Sequence, residues 1–141
     1  MNLSYKNKIG FSIIEILIGI SILTIGIFGV VKMFPYGLQI SKYAENNTLG
    51  VMAGQEKMEN TISAGYENIG TGIIEAKHKI TSGSFGDTYN FFRETEVIFV
   101  DADLNDSVAD TGMKKITVEV SWQLSTGEEK NIILNKLISR R

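Results

Sequence analysis

Hydrophobic and polar positions along the chain fall into two regimes that meet near Pro35. From Phe11 to Val31 every side chain is apolar, Gly, Ser or Thr except Glu15, and the apolar run extends to about Phe34. A run of that length spans a bilayer as a helix. It ends at Lys32-Met33-Phe34-Pro35-Tyr36-Gly37, where a cation, aromatics and a helix breaker meet. Pro35 lacks an N–H and disfavours helix at Phe34, so a kink is expected near Pro35. Beyond it Leu38, Ile40, Ala44, Thr48, Val51, Met52, Gln55, Met58 and Ile62 follow helical spacing, which predicts that the helix resumes over 36–62. Within that segment Gly50, Ala53 and Gly54 allow close approach of a sheet or a neighbour. Ser63 to Gly72 is rich in turn formers and ends the helix, with Gly65 a candidate left-handed cap.

The period then changes from that of a helix to that of a strand. Ile73 to Ile80 is a short candidate, and Thr81 to Thr88 reads as a Gly/Ser loop. Tyr89 to Val100 is aromatic and β-branched, but Arg93, Glu94 and Glu96 leave its buried face open. Lys114 to Leu124 alternates cleanly, with Ile116, Val118, Val120, Trp122 and Leu124 against Thr117, Glu119, Ser121 and Gln123. The turn Ser125-Thr126-Gly127-Glu128 leads to Lys130 to Ile138, where Ile132, Leu134, Lys136 and Ile138 form one face, so the last two strands predict an antiparallel hairpin. The fold class is therefore α+β: a long N-terminal helix, transmembrane in its first half, packed by its second half on a three- or four-stranded antiparallel sheet over about 73–138. Arg140 and Arg141 close the chain at an exposed edge.

Charge orients the span. Met1 to Gly10 carries Lys6 and Lys8 and no acidic residue, which marks it as the cytoplasmic flank and predicts that 35–141 are extracytoplasmic. A secretory signal peptide has a shorter apolar region and a small-residue cleavage site, and no Ala-x-Ala follows this run. Glu15 is the anomaly, because an ionisable group inside a span costs about 2.5 to 3.5 kcal/mol and normally has a partner or a function. The formal charge of −2 gives no global electrostatic case for nucleic-acid binding, and the absence of Cys means that the exported part folds without a disulfide.

Lys8-Ile9-Gly10-Phe11-Ser12-Ile13-Ile14-Glu15 resembles the processing motif of type IV prepilins and type II secretion pseudopilins. The resemblance implies that residues 1–10 are a leader, with basic residues Lys6 and Lys8, removed by a prepilin peptidase that cuts between Gly10 and Phe11 and methylates the new N-terminal Phe11. Ser12 then occupies the tolerant second position and Glu15 is the acidic residue of the motif, while 11–34 serve as membrane anchor and later as filament core. A helix places Glu15 one turn from the new ammonium group, so the two charges can compensate within a chain or between neighbours. Further along, Ala53-Gly54-Gln55-Glu56-Lys57-Met58-Glu59 and Gly112 to Trp122, followed by a final strand, are similar to minor pilins of the PilV class and the I-class pseudopilins. Pro35 departs from the family by lying three positions later than the Pro that kinks many major pilins. The resemblance implies a structural subunit and not an enzyme. Its partners would be the peptidase, other pilin or pseudopilin subunits, an inner-membrane assembly platform and, before assembly, membrane lipid, and it would end in a pilus or a periplasmic pseudopilus.

Two other readings stand beside this one. A tip or competence pseudopilin would share the anchor and bind DNA, a surface or an exported substrate through the head, whereas an unrelated single-pass protein would retain Met1 to Gly10 and tolerate replacement of Glu15. Asp101, Asp103, Asn105 and Asp106 resemble the start of an oxygen-rich calcium loop, but Asp106 stands where a sharp turn needs Gly, and Gly112 supplies no bidentate carboxylate. Otherwise the connection is a solvated acidic loop. His78 has neither a Cys nor a second His to build a metal site or triad with, and no phosphate loop, nucleophile elbow or cofactor signature is present.

Overall fold

The computed structural model describes residues 10, 12–81, 90–124 and 126–140. The expected loop over 81–88 lies, apart from Thr81, outside them. The chain divides into two compact units, residues 1–43 and 44–141.

One helix, α1 (Ile13–Ser63), carries the apolar run and the amphipathic segment, with Pro35 inside it. The helix thus continues through the proline, although the missing N–H forfeits one hydrogen bond. Within residues 13–43 the large apolar side chains are exposed all round, from Ile13 at 78 % to Tyr43 at 43 %. Such a helix is long and apolar enough to cross a membrane, and none of its most apolar window is buried within the chain.

The second unit is a two-layer α/β sandwich. A short 3₁₀ turn (Tyr66–Asn68) leads into β1 (Gly72–Lys79), β2 (Phe91–Val100), β3 (Asp106–Ser107), β4 (Met113–Gln123) and β5 (Glu129–Ser139). The sheet order is β1-β2-β4-β5, all antiparallel, with the two-residue β3 pairing the end of β2. It has one strand more than the expected maximum of four, since β3 is too short to leave a periodic signature. Alternation in β4 puts Ile116, Val118, Val120 and Trp122 in the core, as their spacing requires. Each such residue contributes about 1.5 to 3 kcal/mol when fully withdrawn from water. On β5 the inward positions Ile132, Leu134 and Ile138 are half-buried, but Lys136 is exposed despite sharing their parity.

Glycine lets the layers meet. On α1, Gly50, Ala53, Gly54, Met58 and Thr61 are buried at helical spacing. A Cβ on Gly50 would stand 2.9 Å from Cζ3 of Trp122, and one on Gly54 would stand 2.6 Å from Cδ1 of Leu134. Trp122 is fixed in turn by Phe91, whose ring meets it edge to face at 5.5 Å. Gly65 does follow the helix, but with φ 81° and ψ 152° it is not the left-handed cap expected there. The last turn instead tightens, with Ala64 N–H donating to Thr61 and Gly65 N–H to Ile62.

Candidate functional site

At the start of α1 the carbonyl of Ser12 accepts the N–H of Glu15 at 3.0 Å and that of Ile16 at 3.3 Å, so Ser12 is the last residue before the helix and Glu15 lies in its first turn. The positive end of the helix dipole favours a carboxylate there. Among the described residues the Glu15 carboxylate has no hydrogen bond or ion pair, and Gly10 and Ser12 are exposed. Phe11, Lys6 and Lys8 lie outside the described residues. Among the described residues the arrangement offers one unpartnered carboxylate, on a largely apolar stretch of helix, to a cation from outside them.

The acidic connection after β2 is closed upon itself. Oδ1 of Asp101 accepts the N–H groups of Asp103 and Asn105, both at 2.9 Å, and the loop is pinned by Asp101 N–H to Asn105 O and Leu104 N–H to Asp101 O. Asp106 pairs with Lys115 at 3.0 Å as β3 begins. Asp101, Asp103 and Asn105 therefore build an Asx-type turn that hands the chain to β3, which Asp106 begins. Among the described residues no group of three or more His, Cys, Asp or Glu side chains could hold a metal ion. His78 is exposed on β1, its Nε2 3.5 Å from Glu75.

Two polar clusters escaped the sequence reading. Glu75, on β1, accepts Arg93 through both oxygens at 2.9 and 3.1 Å and the hydroxyl of Thr95 at 2.8 Å, with Lys57 of α1 3.4 Å away. Burial opposes ionisation of Glu75, but the hydrogen bonds from Arg93 and Thr95 and the charges of Arg93 and Lys57 outweigh it and hold the carboxyl below its ordinary value. The only foreshadowing was the uncertain face of β2: Arg93 points inward, to Glu75 and the carbonyl of Ala53. The second cluster gathers around Tyr66. Buried Lys114 donates to the carbonyls of Tyr66 and Ile69 and lies 4.3 Å from the Tyr66 ring centre, while Arg140 binds Glu67 and Asp110. Tyr66 donates to Asp110, and burial together with that carboxylate pushes its phenol up to about 12. The adjoining cavity of about 680 Å³, lined in part by Ile62, Tyr66, Ile138 and Arg140, has its guanidinium already committed to two carboxylates. The Glu75 cluster ties α1 to β1 and β2, and the Tyr66 cluster ties the 3₁₀ turn to β4 and to the end of the chain's last strand.

No protein-family model, no curated protein and no solved structure matches the chain.

Proposed function

We propose that the chain is a structural subunit of a type IV pilus or a type II secretion-type pseudopilus. It would be made as a membrane precursor, cut before Phe11, methylated there and assembled with other subunits. The observation that carries this reading is Glu15: a carboxylate without a partner among the described residues, in the first turn of a helix that is otherwise uncharged up to Lys32, at motif spacing from Gly10 and Phe11. The continuation of the same helix onto an antiparallel sheet supports it, since one element then serves as anchor, filament core and support of the displayed head. No bond need be made or broken by the chain itself. Packing apolar helices together as they leave lipid supplies contact energy through dispersion and small-residue approach, and charge compensation at Glu15 gives the packing a register.

Intact-mass analysis of protein from cells containing a prepilin peptidase is expected to show loss of residues 1–10 plus the mass of one methyl group. A chain that retains Met1 to Gly10 overturns the proposal.

A further inference from the structure

Between Ser12 and Ser41 the chain has two charged side chains, Glu15 and Lys32. They are opposite in sign, both lie on α1, and among the described residues neither has an ion-pair partner. Lys32 does not mark the end of the exposed apolar surface, because Met33, Phe34, Tyr36, Leu38 and Ile40 beyond it are each more than half exposed. An ammonium in that setting has a way out while lipid surrounds the helix: its four-carbon stem reaches towards the interface. Among packed helices that route closes, and an unpaired charge becomes costly.

Resting on the assembly reading above, we infer that Lys32 of one copy pairs with Glu15 of the next and sets the axial stagger between parallel helices. The partner is thus a second copy of this chain. Lys32 cannot reach Glu15 of its own helix, because the seventeen-position offset between them corresponds to about 25 Å along the axis and about 100° around it. Parallel copies sharing one membrane orientation cannot satisfy both charges in a closed pair. The contact joins two different patches, leaving a free Glu15 at one end and a free Lys32 at the other, and a heterologous contact that does not close propagates as a filament. A carboxylate has two oxygens, so Glu15 can accept from Lys32 and from an amine at Phe11 together.

The chain has no cysteine, which makes the stagger directly measurable. Gly19 is one turn beyond Glu15 and Tyr36 one turn beyond Lys32, so the same offset brings them level, and nothing lies within 4 Å of the place a Cβ would occupy on Gly19. In filament-producing cells the full-length double variant Gly19→Cys/Tyr36→Cys is expected to oxidise into a ladder of dimers, trimers and longer species. The offset control Gly19→Cys/Gly29→Cys and the single variants should yield no ladder. Lys32→Leu should lower filament yield at least tenfold with leader removal unchanged, and Lys32→Arg should restore it. Filaments that form without the 19-to-36 cross-link, a ladder equally strong in the control, or wild-type yield from Lys32→Leu overturns the stagger while leaving the assembly reading intact. A wild-type chain that is neither cleaved nor assembled overturns both.

Discussion

Gly50 and Gly54 sit one turn apart on the same helix face, yet they should respond differently to the same added methyl. Alanine at either position gains about 1 kcal/mol of helix propensity. At Gly50 the new Cβ meets the Trp122 ring at 2.9 Å, and that ring cannot withdraw because Phe91 packs against it. At Gly54 the closest atom is the terminal methyl of Leu134, at 2.6 Å, on a half-buried strand residue that can change rotamer. Gly50→Ala is therefore expected to destabilise by about 1 to 3 kcal/mol, the usual cost of overpacking, and Gly54→Ala to stay within about 1 kcal/mol of wild type. Denaturant titration of the full-length chain in detergent measures both, and equal losses would show that Trp122 yields as easily as Leu134. The small residues were legible as a point of close approach, but their ranking depends on what lies opposite, which no helical periodicity reveals.

At the scale of elements, Glu75 fastens β1 to β2 and to α1. Its side chain is 12 % exposed and that of Arg93 14 %, so removing the carboxylate leaves two cations facing little water. Glu75→Gln is expected to cost about 2 to 4 kcal/mol at neutral pH, in line with breaking a largely buried pair. The pH dependence follows from the direction of its shift. A carboxyl held below its ordinary value in the folded state stabilises fully above the unfolded pKa, about 4.3 for Glu, and loses that contribution as pH falls through the folded value. Wild-type stability should thus fall between about pH 5 and acid, and the Glu75→Gln profile should be flatter there. Parallel profiles in thermal melts at pH 3 to 7 would reject this account. The same elements explain what could be read in advance. β4 was legible because four core residues alternate with polar ones, and β5 because three of its four proposed inward positions hold, Lys136 escaping the core at an open sheet edge. Arg93 defeated the reading of β2, since a charge that turns inward to a buried carboxylate looks like a solvent-facing one until its partner is known. Asp106 and Ser107 became β3 through pairing with Val100 and Phe99, a contact set by the loop's own closure and not by β propensity.

For the whole molecule, the proposed assembly would set opposite demands of anchoring and packing on one side chain. In the candidate site, Glu15 was legible because a lone charge in an apolar run cannot be overlooked, whereas Lys32 read as the outer boundary of the span until α1 proved continuous and apolar well past it. A bilayer alone is indifferent to the identity of such a residue except for its cost. Replacing Glu15 by Leu removes a group that opposes insertion by up to about 2.5 to 3.5 kcal/mol at mid-span and less near the end, so the variant precursor should resist alkaline extraction from membranes at least as well as wild type. A filament is not indifferent. In the proposed stagger, loss of the carboxylate would leave the amine proposed at Phe11 and the ammonium of Lys32 facing one another uncompensated, and filament yield should fall tenfold or more. Extraction and shearing assays on the same cells separate the two effects. Anchoring at least as strong as wild type with lost assembly is the expected pair of results, and wild-type filament yield from Glu15→Leu would return the helix to the status of an ordinary anchor, with Glu15 no more than a favourable charge in its first turn.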